Sequence, residues 1–431
     1  MAPPDGAPLD TPLPRTTTTS SAALARALSA LYARVPLGMR LGLEAMREAC
    51  ARAGNPENAF EVAHVGGTNG KGSTCAMVEA MVRATGKKTG LYTSPHLARF
   101  AERIRIDGVP IDDEALAAVL ERAMEIGPDL SFFETATLAA FLAFRDHGVE
   151  VAVIEVGIGG RLDATNVIAA PRVAAVTRVA FDHMDRLGDT LEKIAREKAA
   201  IAKSGMPIVL GPMAPEVRAA ALEVALAAGA LPIVMGDDPE ALPRDATLAL
   251  GGGYQHDNAR IAWRIARELG IPESARREGL ARAVWPGRFE EIAIAKGKLR
   301  GTWIFDGAHN PDGARALVAA IRDLGARSPE RMPGALVFGA LADKAWREML
   351  DVLAALPFPR FYVAPRGRAA TPPPDLAAHA QGVVSTSLPL ALTKAHRAAA
   401  KHSVVVCGSL YLVGEARALL LGEPTDPPVA L

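Results

Sequence analysis

Cysteine is scarce in this sequence of 431 residues: Cys50, Cys75 and Cys407 are all there is, and no metal-ligand spacing relates them. That argues against a disulfide framework and fits a reduced compartment. A surplus of charge is missing too. Lys plus Arg and Asp plus Glu each number 48, so the formal net charge is zero, which gives no electrostatic case for a nucleic-acid partner. No apolar run is long enough to span a bilayer. The opening MAPPDGAPLDTPLPRTTTTSS lacks the basic start and apolar core of a secretory signal; roughly residues 1–20 read as a disordered tail rich in Pro, Thr and Ser. There is no short-period repeat. These absences together predict a cytoplasmic protein without a membrane partner.

What is present is a large apolar fraction, 49%, in a chain long enough for two domains or three. Residues 60–65, 151–156, 173–179, 207–210 and 231–235 read as strands. Their near-continuous apolar character suits parallel strands covered on both faces. Helical stretches separate them at 73–85, 113–127, 135–147, 190–203 and 215–228. A second series of strands runs through 303–305, 335–338, 361–363 and 403–406, with helices after Pro311, Ala345 and Tyr411. Residues 366–374 read as a loop, because their three consecutive prolines cannot continue a helix. The alternation predicts an α/β doubly wound architecture. A break at Trp285-Pro286-Gly287-Arg288 divides it into residues 21–286 and 287–431.

The strongest motif is Gly66-Gly67-Thr68-Asn69-Gly70-Lys71-Gly72-Ser73, which follows a strand and opens a helix. There, backbone N–H groups and the helix dipole cradle phosphate. Lys71 would reach the β- and γ-phosphates of a nucleotide, and the Ser73 hydroxyl a magnesium ion. The spacing departs from the standard GxxxxGK[ST] loop, which needs Gly at position 65 and a hydroxyl at 72; this chain has Val65 and Gly72. Glu155 closes the apolar run VAVIE. This places a carboxylate at the sheet edge where open α/β folds bind ligands. A metal ion or a salt bridge to Arg161 would compensate its burial.

The phosphate loop resembles that of the Mur ligase superfamily of ATP-dependent amide-bond ligases. Four further segments narrow the likeness to the folylpolyglutamate synthase and dihydrofolate synthase family. They are Tyr92-Thr93-Ser94-Pro95-His96-Leu97, the run from Glu155 to Asn166 (EVGIGGRLDATN), Asp182-His183-Met184-Asp185-Arg186-Leu187-Gly188, and Asp306-Gly307-Ala308-His309-Asn310. The matches run in order from about residue 37 to the end. The resemblance implies a P-loop ATPase domain with a mainly parallel sheet and a smaller Rossmann-like C-terminal domain, with the site between them. It implies ATP, L-glutamate and a dihydropteroate or folate acceptor as substrates, joined through an acyl phosphate by a monomer.

The resemblance also assigns residues. Gly67, Thr68, Asn69, Gly70, Lys71, Gly72 and Ser73 would hold ATP, with Asn258 near the adenine, Arg288 on the phosphates and Asp306 on the ribose. Ser73 and Glu155 would hold one magnesium, and His183 a second. Lys198 would assist as a carbamylated lysine, its bland alternative being a surface residue paired with Glu197 or Glu192; a potassium ion is a further expectation. His309 would meet the incoming glutamate or the phosphate. Thr93, Ser94, Pro95, His96, Arg161 and Asp163 would line the folate side. Ser409 would contact the glutamate carboxylate or cap the last helix, and Glu134 would cap its helix or face the site. Family members usually carry Asp-Lys-Asp where this chain has Asp343-Lys344-Ala345.

Overall fold

The computed structural model describes residues 21–35, 42–236 and 242–426, so the tail expected over residues 1–20 lies outside the described residues. Helices α1 (Ala22–Tyr32) and α2 (Glu44–Arg52) precede β1 (Glu61–Gly66), which feeds directly into α3 (Lys71–Arg83). Then come β2 (Thr89–Tyr92), β3 (Ile104–Ile106), β4 (Val109–Pro110), α4 (Asp113–Ile126), α5 (Phe132–Asp146) and β5 (Val151–Glu155). The chain continues through β6 (Val173–Val176), the single turn α6 (Met184–Leu187), α7 (Leu191–Ala199), β7 (Pro207–Leu210), α8 (Pro215–Ala227), β8 (Leu231–Val234), α9 (Gln255–Glu268) and α10 (Glu273–Arg282).

These strands form an eight-stranded sheet in the order β4-β3-β2-β5-β1-β6-β7-β8. It is parallel from β2 to β8, while β3 and β4 add antiparallel pairs at one edge. The central strands are buried along their whole length, VAVIE in β5 and VAAV in β6, as parallel strands covered by helices must be. The register aligns the strand ends: Val65 sits opposite Glu155, and Gly66 opposite Val176. The loops leaving β1, β5 and β6 therefore emerge together at the carboxyl edge.

A second sheet begins at Arg288. It comprises β9 (Arg288–Ile294), β10 (Gly301–Asp306), β11 (Ala335–Phe338), β12 (Arg360–Tyr362), β13 (Val383–Val384) and β14 (Val404–Cys407), ordered β13-β12-β11-β14-β10-β9. All neighbours are parallel except the β9–β10 hairpin. Helices α11 (Pro311–Arg327), α12 (Trp346–Leu353), α13 (Pro373–His379), α14 (Leu388–Ala399) and α15 (Leu410–Leu421) accompany it.

The expected strands and helices are present to within a few residues. The proline run needs correcting: Pro372 caps α13, and Pro373 and Pro374 occupy its first turn. Proline cannot continue a helix, but its fixed φ and missing donor suit the first positions.

Candidate active site

A cavity of about 1240 Å³ opens where the carboxyl edges of the two sheets face one another. One wall is the loop from Gly67 to Gly70. Gly70 adopts φ +89°, and a Cβ there would lie 2.2 Å from Asn258 Oδ1, so only glycine fits. Gly72 explains the departure from the standard loop: a Cβ at this position would lie 2.7 Å from Trp285 Nε1. The indole takes the room a threonine would need, and the hydroxyl moves to Ser73. Its Oγ accepts from Gln255 Nε2 at 3.2 Å, while Asn258 donates to Gln255 Oε1 at 2.9 Å. Asn258 thus abuts the phosphate loop. The loop is anchored to β6: Thr68 N–H donates to Arg178 O at 2.6 Å, and Thr177 Oγ1 to Asn69 O at 2.8 Å.

Lys71 Nζ donates to Thr68 O at 3.2 Å and lies 3.9 Å from Glu155 Oε1. Glu155 accepts from Ser94 N–H at 3.2 Å. Burial raises its pKa, against the pull of Lys71, the Ser94 amide, Arg288 and Arg103. The salt bridge to Arg161 does not form. Arg161 lies outside the cavity and pairs with Glu197 at 2.9 Å, so the structure does not bring it to the folate side.

Lys198 is not a surface lysine. It shares the buried face of α7 with Ile194 and Ala195, and Nζ donates to Gly67 O at 2.9 Å. Burial, then the charge of Lys71, lowers its pKa to about 7. His183 begins α6 at φ +50°. Burial brings its pKa down to about 4, leaving a neutral imidazole.

The C-terminal sheet supplies the facing wall. Burial alone would raise the Asp182 carboxyl; His309, Lys344 and His183 overcome this and hold it far below the usual range. Lys344 Nζ reaches it at 2.6 Å, and His309 Nε2 stands 3.6 Å away. His309 Nδ1 meets Gly307 O at 2.8 Å. Asn69 donates to Asp312 at 2.8 Å and exchanges amide hydrogen bonds with Asn310, and Arg178 also binds Asp312. Arg288 carries no carboxylate partner among the described residues; its Nη1 meets only Gly287 O, at 3.4 Å. Asp306, expected on a ribose, already accepts from Tyr254 Oη at 2.7 Å, Phe289 N–H at 3.0 Å and Ala308 N–H at 2.9 Å. Ser409 caps α15 through Tyr411 N–H.

On the side expected to take the acceptor, Ser94, Pro95 and His96 line the cavity, whereas Thr93 lines a small adjoining pocket beside Trp285. Arg103 Nε donates to His96 Nδ1 at 2.9 Å. Burial, then that guanidinium, lowers the pKa of His96 well below its ordinary value. Asp163 lines the cavity, but its oxygens are held by Ile158 N–H, Thr165 N–H and the Thr165 hydroxyl. Glu134 forms a capping box with Ser131. Sequence reasoning missed Tyr254, Arg178 and Arg103 as site-builders; Gln255, in the segment that carries Asn258, and Lys344, beside an incomplete Asp-Lys-Asp, carried a signal but no assigned role.

Two family models match the chain: the Mur ligase middle domain over residues 65–210, and the Mur ligase, glutamate ligase domain over residues 287–410. A folylpolyglutamate synthase of Lacticaseibacillus casei is 35% identical over 86% of this chain and 92% of its own. Escherichia coli FolC in complex with DHPP and ADP superimposes with a TM-score of 0.80 at 33% identity, covering 94% of this chain and 99% of that one. The bifunctional folylpolyglutamate synthase/dihydrofolate synthase of Yersinia pestis, complexed with AMPPNP and a manganese ion, gives 0.82 at 30% identity, covering 94% and 100%.

Proposed function

Because this chain belongs to the folylpolyglutamate synthase and dihydrofolate synthase family of ATP-dependent glutamate ligases, we propose that it joins L-glutamate to both dihydropteroate and a reduced folate. An oxygen of the acceptor carboxylate attacks the γ-phosphorus of ATP, the bond to ADP breaks, and an acyl phosphate forms. The glutamate amine then attacks the acyl carbon; inorganic phosphate leaves, the amine loses its proton, and an amide remains. Both reactants of the first step are anionic, so the protein's task is positioning and charge neutralisation.

Lys71 and Arg288 take the phosphate charge. Arg288 is suited to this because its planar guanidinium binds two phosphate oxygens at once and is in no ion pair among the described residues. His309 receives the glutamate side, its ring held by Gly307 O. Closure of the facing walls over bound substrates would exclude water that would otherwise hydrolyse the acyl phosphate. The donor set fits magnesium. Ser73 and Glu155 offer oxygen atoms to the cavity beside the phosphate loop, and magnesium takes one or two protein ligands and fills its shell with phosphate and water. Ser73 and Glu155 would hold it, and the neutral His183 a second; a bound ion supplies charge neutralisation on the phosphates. A carbamate on Lys198 belongs to this reading, since a buried amine with a pKa near 7 offers the neutral form that attacks carbon dioxide. Potassium dependence is checked by titrating the rate. A monomer in the cytoplasm suffices, with small molecules as its partners.

The observation that carries the proposal is Lys71 and Glu155, 3.9 Å apart in the cavity that Arg288 and His309 close from the other sheet. The test is phosphate release from ATP with glutamate, magnesium and either dihydropteroate or tetrahydrofolate. Release with both supports the bifunctional reading. Release with one alone removes it, and release only with UDP-linked peptides moves the chain to another branch of the Mur ligases.

A further inference from the structure

Arg103 is 6% exposed and lines the cavity beside Ser94 and His96. Its guanidinium lies over the rings of Phe100 and Phe132, 5.1 and 5.4 Å from their centroids. Only Nε is engaged, in the bond to His96. Among the described residues neither terminal nitrogen has a hydrogen-bond partner, and no carboxylate forms an ion pair with the group. Arg34 shows what a structural arginine looks like in this fold: its Nη1 donates to Gly127 O and Leu130 O, both at 2.9 Å. A buried cation without a counter-ion is costly, and here the residue lines the cavity with no partner for its terminal nitrogens among the described residues. The charge of Arg103 is felt at Glu155 and at Tyr32 and Tyr92. The guanidinium is therefore within electrostatic reach of Glu155 and packs against the aromatic wall.

We infer that Arg103 is the anchor for the carboxylate of dihydropteroate, taking it on its two terminal nitrogens while Phe132 and its neighbours take the ring to which that carboxylate is attached. A planar fork matches a carboxylate in a way that a neutral donor cannot. The rings beneath the guanidinium hold it flat, and the bond to His96 fixes its rotation. His96 must stay neutral to accept that bond, as its buried position beside a cation ensures. This inference rests on the acceptor reading proposed above and adds a residue that recognises the acceptor's charge rather than its ring.

The experiment compares equilibrium binding of dihydropteroate and of its carboxamide to the full chain with ADP present. The wild type should prefer the carboxylate at least tenfold. Arg103→Gln should bring the ratio near one with ADP affinity unchanged, and Arg103→Lys, which keeps the charge without the fork, should fall between. If Arg103→Gln does not fold, Arg103→Lys carries the test alone, with an expected loss of at least threefold in the ratio. A variant that keeps the wild-type ratio overturns the inference. Wild-type protein that binds neither compound overturns the acceptor reading beneath it.

Discussion

At the end of the cavity proposed for the nucleotide, the groups that would meet a ligand are mostly backbone. At the end proposed for the acceptor they are side chains. The loop from Gly67 to Gly70 is set by β1, by its bonds to Arg178 and Thr177, and by the packing of Asn258 and Trp285 against its glycines. The acceptor end gathers Arg103 from the turn before β3, Phe132 and Phe133 from α5, Tyr32 from α1 and Asp163 from the loop after β5. A backbone cradle needs a fixed local sequence, whereas a side-chain wall needs only that distant elements meet. The first end can be written as a motif and the second cannot.

The sharpest way to break that comparison is Lys71→Ala. If the cradle binds phosphate and Lys71 supplies the charge, kcat/KM should fall by about 10²–10³, the cost of removing one aimed donor at a developing charge. The thermal midpoint should hold, because among the described residues Lys71 makes one bond, to Thr68 O, and a 3.9 Å contact with Glu155. Activity within a few-fold of wild type would mean that the cradle works without its lysine.

The two sheets also differ in how they hold each other. Asp182 and Lys344 are each 10% exposed at the side chain and 2.6 Å apart. Asp182→Asn strands a buried ammonium, which costs about 3–5 kcal/mol. Calorimetry should resolve an earlier transition for the part after residue 287, with a raised KM for ATP. Because the folded-state pKa of Asp182 lies below its ordinary value, the pair's contribution is complete above about pH 4 and is lost only as the pH falls further. A variant that melts as the wild type does would mean that Asn69, Asn310 and Asp312 suffice to join the two sheets.

Legibility in the sequence divides along the same line. The strands that carry the phosphate loop and Glu155 are unbroken apolar runs, and the sequence announces them. β2 is buried throughout but reads Thr-Gly-Leu-Tyr; Gly90 is there because a Cβ would lie 2.8 Å from the ring of Phe144, a neighbour far along the chain. β9 reads Arg-Phe-Glu-Glu-Ile-Ala-Ile and is half-exposed, as an antiparallel edge strand is, so it lacks the continuous apolar run that marks the parallel strands. Lys198 was legible in principle: it stands one helical turn after buried Ile194 on the apolar face of its helix. The partners of Asp306 and Asp163 were not legible, since nothing local distinguishes a carboxylate with three protein donors from one that awaits a ligand.

Lys198 gives a smaller effect of the same kind, because it is a side chain that serves the cradle from behind. With a pKa near 7, its amine is roughly 90% neutral at pH 8 and roughly 10% at pH 6. The initial rate of carbamate formation from dissolved carbon dioxide, followed by mass spectrometry on the intact chain, should therefore drop about tenfold over that range. No adduct at pH 8 would remove the carbamate and leave Lys198 as the donor that fixes Gly67 O.

The smallest effect sharpens the comparison most. Arg161 belongs to the same glycine-rich run as Asp163, and the resemblance placed both on the folate side. The run bends between them. Asp163 turns inward and is bound by its own loop, while Arg161 turns outward, its side chain 58% exposed beside Glu197. An exposed pair of this kind is worth about 0.2–1 kcal/mol, so Arg161→Ala should change the acceptor KM by less than about fivefold and leave kcat alone. Asp163→Asn removes a charge that three donors hold, and should loosen the loop and raise the acceptor KM by more. If Arg161→Ala instead proves the more damaging of the two, the loop must turn over when the acceptor binds. The acceptor end would then be unfinished until its ligand arrives, unlike the cradle opposite, which is already complete.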